Sequence, residues 1–245
     1  MEETTPLPAR HILGLVVAVF FLLTFTVYYQ SLFHPFVRWD DGLLIYDNPA
    51  VWAITPATLK RIFTSYDPEL YIPLTFLTYQ IDFLIGGTNP VIYHLSNLLF
   101  HTANAILVAW FIFLLSKQKW IGLACGFLFA VHPLHTEAVA WASARKDVLS
   151  TFFFLLTLIG YLRYRSTGRY LKHSLIAYLF ALLAKVTVAT LPVKNRPESA
   201  HGENPLLCSE HCVRHYCHLR KIGNSPACHT ARKDTHVLQK HCVLS

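Results

Sequence analysis

Long apolar runs most constrain how this chain of 245 residues can fold. An α-helix rises about 1.5 Å per residue, so about 20 apolar residues are enough to cross a bilayer. Overall 53% of the residues are hydrophobic and only 14% are charged, whereas soluble domains carry about a quarter charged residues. The sequence therefore predicts an all-α, multi-pass membrane protein with about five spans. The five runs cover residues 12–29, 92–115, 120–141, 148–164 and 171–193.

A further apolar run, residues 72–85, is too short to span, contains Asp82 and ends at a pair of glycines. Positive charge is expected in cytoplasmic loops. If this run does not cross the membrane, the basic loops at residues 117–119 and 163–172 both become cytoplasmic. We therefore predict a surface helix at residues 72–85, within an external loop that covers residues 30–91.

These assignments divide the chain into three parts. Residues 1–11 are predicted to be a cytoplasmic N-terminus, and residues 12–193 a membrane domain. Residues 194–245 are polar and hold five of the six cysteines, at irregular spacing. The tail is therefore predicted to be disordered or translated out of frame, with a structural zinc site as the alternative. The net charge of +7 lies in loops and tail, which does not indicate a nucleic-acid partner.

Asp40 and Asp41, just before Gly42, stand in the predicted external loop. Such a pair often does no more than form a turn. Outside a membrane span, however, a carboxylate can remove a proton from an acceptor hydroxyl or bind a divalent cation. Both aspartates are candidate catalytic residues, and which of the two acts as the general base stays open.

Arg145, Lys146 and Asp147 begin the fourth predicted span on the same external side. They could be an ordinary helix start, with Asp147 at the positive end of the helix dipole and cations that reach toward the interface. Basic residues on the external face nevertheless oppose the usual trend, and a phosphate ligand would explain Arg145 and Lys146. Lys185, within the last apolar run, is a third candidate phosphate ligand.

Histidines mark two further stretches. His132 and His135 share one helical face and could bind a metal together with Glu137, although a polar helix end that orders the catalytic loop is the simpler interpretation. A second group forms a polar stripe that cannot face lipid at low cost, so we expect it to pack against neighbouring helices rather than to line a cavity. This stripe consists of His94, Asn97, His101 and Asn104.

Several ordered stretches resemble the membrane part of the tetratricopeptide-repeat-coupled C-type glycosyltransferases, which include the TMTC-like protein O-mannosyltransferases and their bacterial relatives. The chain has the matching stretches FVRWDD at 36–41, NPAV at 48–51, IPLT at 72–75, YHLSNLLFH at 93–101, HPLHTEAVAW at 132–141, RKDVLS at 145–150 and residues 185–192.

The resemblance implies a catalytic acidic motif in the first external loop, followed by a surface helix. It also implies a mannose-like sugar donor on a polyprenyl or dolichyl phosphate, a protein Ser or Thr acceptor, and inversion at the sugar carbon. The expected location is a bacterial inner membrane or the endoplasmic reticulum membrane, with a periplasmic or luminal active face. A divalent metal ion is an open alternative.

Related chains continue with more spans and helical repeats after the point where the tail begins. The resemblance thus also implies that this chain is an inactive fragment or a frame-shifted product. The rival class is a non-catalytic membrane scaffold or a lipid-carrier transporter subunit, although the paired halves typical of transporters are not visible.

Overall fold

The computed structural model describes residues 9–64 and 70–190. Within these ranges the chain forms α-helices, short 3₁₀ and π-helical turns, and no strand, which confirms the all-α prediction. The described helices up to Val188 form one compact unit. The predicted tail, with its candidate zinc ligands, lies outside the described residues. The α-helices are α1 (Ala9–Tyr28), α2 (Pro56–Thr64), α3 (Pro73–Gly86), α4 (Pro90–Ser116), α5 (Lys119–Val131), α6 (Thr136–Ala140), α7 (Arg145–Thr167) and α8 (Leu171–Ala184).

Three segments, which contain α1, α4 and α7, are long and apolar enough to cross a membrane. The third predicted span, at residues 120–141, is bent by 52° between α5 and the segment Pro133–Ala140. If these two helical segments are treated as a single span, the described residues contain four candidate spans instead of three. Pro133 explains the bend, because a residue before proline avoids the helical conformation and His132 is extended. The last predicted span is an apolar α-helix of 14 residues, α8, that ends at Ala184.

Helix α4 lies at the centre of the bundle and packs against α1, α5 and α7, while α7 also packs against α8. Small residues allow the close approach of α4 and α5. A Cβ at Gly122 would lie 2.5 Å from the carbonyl oxygen of Ala109, and one at Gly126 would lie 2.7 Å from the Cβ of Ala109. Phe20 of α1 stacks on Phe127 of α5 at a centroid distance of 4.7 Å. These contacts fix α1, α4 and α5 as a tight group.

The predicted external loop is folded rather than extended. Its apolar side chains, among them Leu44, Ile45 and Val51, form a buried cluster with Phe76 and Tyr79 of α3. The opposite face of α3 is exposed and apolar at Ile81, Leu84 and Ile85. The predicted short helix at residues 72–85 therefore exists as α3, and its placement on a membrane surface stays a prediction.

The bundle has two ends, and among the described residues acidic side chains occur at only one of them, where basic side chains also lie. The hydroxyls of Thr24 and Thr102 are 2.6 Å apart, so the end of α1 lies beside the first half of α4. The Thr75 hydroxyl of α3 donates to the carbonyl of Ala184, which brings the end of α8 to the same place. The Asp and Glu side chains of the described residues all belong to this end: Asp40, Asp41, Asp47, Asp82, Glu137 and Asp147. The turns at the other end carry Lys117, Lys119, Arg163, Arg165, Arg169 and Lys172.

Candidate functional site

Asp41 is only 1% exposed, and both of its carboxylate oxygens bind backbone. One oxygen accepts a hydrogen bond from the Val37 amide at 2.8 Å, and the other accepts from the Ser143 amide at 2.9 Å. A carboxylate that accepts hydrogen bonds from two backbone N–H groups restrains both of the backbone segments that donate them. Asp41 thus joins the loop before α2 to the segment just before α7.

Asp40 has a different environment although it is the neighbouring residue. Its side chain is 38% exposed, and one carboxylate oxygen lies 3.5 Å from Nζ of Lys146. The Lys146 side chain is 14% exposed and also lies 5.8 Å from the ring centroid of Trp141. Asp40 and Lys146 therefore form an ion pair that molecules outside the fold can reach.

Arg145 is fully buried. Its guanidinium donates to Oδ2 of Asp82 at 2.7 Å, to the carbonyl of Tyr93 at 2.8 Å, to the hydroxyl of Thr78 at 3.2 Å, and to Oδ1 of Asn97. A buried charge is tolerated where it is paired and its donors are satisfied. This geometry does not support the prediction that Arg145 binds a donor phosphate, because the side chain is fully buried and four of its five N–H donors already bind groups inside the protein.

Lys185 lies directly after α8, where the backbone becomes extended. Its ammonium group contacts Oδ1 of Asp147, and both side chains remain partly exposed. Arg145, Lys146 and Asp147 therefore each form an ion pair with a different segment: α3, the first loop and the end of α8. Of these three ion pairs, those of Lys146 and Lys185 are partly exposed and open to an anionic ligand, whereas that of Arg145 is buried.

The histidine stretch does not form a metal site. Nδ1 of His132 accepts from the backbone amide of Leu134 at 3.2 Å, and the ring of His135 packs 4.2 Å from that of Phe129. Glu137 is exposed. Within residues 9–64 and 70–190, no three His, Cys, Asp or Glu side chains come together as metal ligands require. The donors present do not fit a metal ion, and the geometry agrees with a polar helix end.

The polar stripe of α4 packs against neighbouring segments, as predicted. Its four members are buried, and each reaches a backbone carbonyl oxygen of another segment. These contacts run from His94 to His34 at 3.2 Å, from Asn97 to Trp141 at 2.9 Å, from His101 to Ala130 at 3.0 Å and from Asn104 to Val148 at 2.8 Å.

Two residues important to this site were missed from the sequence. Asp82 is the counter-ion of Arg145, and a lone charge in a short apolar run was the signal that could have found it. Tyr79 donates from its hydroxyl to the carbonyl of Ala142 at 3.3 Å. Burial raises the pKa of this hydroxyl, so Tyr79 stays a neutral donor.

The fold and the site together define a class: a helical membrane protein whose acidic and basic side chains meet at one end of the bundle. Comparison with curated proteins refines this class. Over 173 residues, 66% of this chain and 18% of the relative, the sequence is 34% identical to human protein O-mannosyl-transferase TMTC3. It is 43% identical to human TMTC2 over 101 residues, which are 41% of this chain and 12% of the relative.

A third relative, Drosophila melanogaster Tmtc1, is 34% identical over 183 residues, which cover 69% of this chain and 21% of that protein. The chain thus spans about a fifth or less of the length of these relatives. No model of a known protein family matches it, and neither does any solved structure. The resemblance to the TMTC protein O-mannosyl-transferases is confirmed by these relatives.

Proposed function

We propose that this chain forms a membrane mannosyltransferase domain and itself catalyses transfer of mannose from a polyprenyl- or dolichyl-phosphate donor to a Ser or Thr hydroxyl of a protein. The ion pair between Asp40 and Lys146 carries the proposal, because it places an accessible carboxylate beside an accessible cation. The names of these relatives, protein O-mannosyl-transferases, support transfer of mannose to protein. Relatives from animals favour the endoplasmic reticulum membrane over a bacterial one, with the end of the bundle that holds Asp40 and Lys146 luminal.

In this mechanism Asp40 acts as the general base. It accepts the proton of the acceptor hydroxyl while the hydroxyl oxygen attacks the anomeric carbon of the sugar. The bond from that carbon to the lipid phosphate breaks in the same displacement, which inverts the configuration. Asp41 is less suited to this step, because both of its oxygens accept backbone N–H groups and the side chain is buried.

The leaving phosphate needs positive charge nearby. Lys146 and Lys185 are both partly exposed, and each is paired with a carboxylate that a phosphate could replace as partner. Cations placed where negative charge develops stabilise the transition state more than the ground state. Lys146 and Lys185 therefore hold the phosphate in this proposal, and no step needs a metal ion.

The test is transfer of labelled mannose from dolichyl-phosphate mannose to a Ser/Thr peptide by the purified chain in lipid nanodiscs. We expect Asp40→Asn to lower turnover by about 100-fold or more, because the substitution removes the base at nearly constant volume. Asp47→Asn is the matched control, since Asp47 is an exposed acid in the same loop. Wild-type turnover by Asp40→Asn contradicts the mechanism. No transfer by the unsubstituted chain contradicts the proposed function and favours the scaffold or lipid-carrier alternative.

A further inference from the structure

Asp82 joins three helices although it lies on the short helix α3. It is buried, and its two oxygens bind different partners. Oδ1 accepts from the Ser96 hydroxyl of α4 at 2.7 Å, and Oδ2 accepts from the Arg145 guanidinium of α7 at 2.7 Å. A charged pair with so little access to water is strongly directional, because few solvent dipoles compete with it. Asp82 is therefore a fixed point between α3, α4 and α7.

Arg145 is held on more than one side. Besides Asp82, its donors reach Thr78, Asn97 and the carbonyl of Tyr93. Its guanidinium carbon lies 5.3 Å from the ring centroid of Tyr79. Because Arg145 is the first residue of α7, these contacts restrict the rotation of the first helical turn.

The segment before α7 is held in the same way. The Asn97 amide donates to the carbonyl of Trp141 at 2.9 Å, the Tyr79 hydroxyl donates to that of Ala142 at 3.3 Å, and the Ser143 amide binds Asp41 at 2.9 Å. Successive helical residues point about 100° apart, so the rotation that buries Arg145 also decides where the next side chain points. That side chain is Lys146, which faces Asp40.

We propose that Asp82 is a positioning residue that, through Arg145, sets the first turn of α7 so that Lys146 faces Asp40 and Asp147 faces Lys185. Asp82 does not touch a reacting atom in this scheme. The role of Asp82 in catalysis rests on the proposed function, whereas its role in orienting the first turn of α7 does not.

A zero-length carbodiimide cross-link between carboxylate and amine tests the geometry without any turnover. The chain in lipid nanodiscs is treated, digested, and mapped by mass spectrometry for the Asp40–Lys146 and Asp147–Lys185 links. We expect Asp82→Asn to lower the yield of both links by about fivefold or more, because an energy difference of about 1 kcal/mol already changes a population by that factor. Asp82→Glu keeps the charge and should recover part of the yield. Asp47→Asn, the matched control, should leave both yields unchanged.

Unchanged yields in Asp82→Asn overturn the proposal. If Asp82→Asn no longer elutes as folded protein, Thr78→Val takes its place, since it removes one partner of Arg145 without leaving a buried charge unpaired. We then expect a smaller fall in both yields, and wild-type yields in folded Thr78→Val likewise overturn the proposal. A chain that cross-links as expected but transfers no mannose contradicts the proposed function alone. In an active chain, Asp82→Asn should lower kcat, and Asp82→Glu should restore part of it.

Discussion

Asp40 and Asp41 are adjacent in sequence, but their different surroundings give Asp41 a structural role and leave Asp40 accessible. Asp41 uses its two oxygens to join Val37 to Ser143 across the fold, whereas Asp40 faces outward to Lys146. The pattern of two acids before a glycine predicted a functional pair, but it could not rank them. The ranking depends on Ser143, a residue 102 positions further along the chain than Asp41.

At this scale we expect Asp41→Asn to lower the free energy of unfolding by about 1–3 kcal/mol. An amide has only one oxygen, so its NH₂ group would face a backbone N–H and leave that buried donor unpaired. Asp40→Asn, whose carboxylate is partly exposed, should change stability by less than about 1 kcal/mol. Denaturant unfolding in detergent measures both variants. Equal losses for the two would contradict the assignment of Asp41 as the structural member of the pair.

At the scale of helices, the close packing of α4 and α5 depends on small residues that have no role in the chemistry. Gly122 and Gly126 lie against α4, where Ala109 also offers little volume. Apolar runs predicted both helices, because span length is a property of one segment. Which glycines face a neighbouring helix could not be predicted, because that depends on how the helices rotate against one another.

For this interface we expect Gly126→Ala to lower stability by about 1–3 kcal/mol, because the added methyl would lie 2.7 Å from the Cβ of Ala109 and 2.9 Å from the carbonyl oxygen of Ala105. Gly14→Ala is the matched control, since a Cβ there meets no atom within 4 Å. Thermal unfolding of the two variants in one detergent gives the comparison. A Tm of Gly126→Ala equal to that of Gly14→Ala would contradict the packing.

For the whole molecule, charge separates the two ends of the bundle. One end holds all the acidic side chains of the described residues together with basic ones, and it carries the ion pairs of α7. The turns between α4 and α5 and between α7 and α8 carry only basic charge among the described residues. Positive-inside counting predicts that the basic end is cytoplasmic. The orientation in the membrane stays a prediction that labelling can decide.

We expect single cysteines at Gln118 and Leu134 to react with a membrane-impermeant maleimide from opposite sides of the membrane. Both positions are exposed, and they lie beyond opposite ends of α5. The background replaces the six native cysteines with serine or alanine. In sealed endoplasmic reticulum vesicles, whose cytoplasmic face is outermost, we expect the Gln118 site to be labelled without permeabilisation and the Leu134 site only after it. The opposite pattern would reverse the predicted orientation. Labelling of both sites from one side would mean that α5 does not cross.

The sequence by itself determined the helical class, the approximate limits of the long apolar helices and the candidate polar stretches, because hydrophobic length and charge can be read from each segment alone. Only the tertiary structure decided that Arg145 is buried against Asp82, that Asp40 rather than Asp41 is accessible, and that His135 packs on an aromatic ring. These properties depend on partners distant in the chain. Burial of a charge is favourable only when folding brings its counter-ion and hydrogen-bond acceptors to the same place.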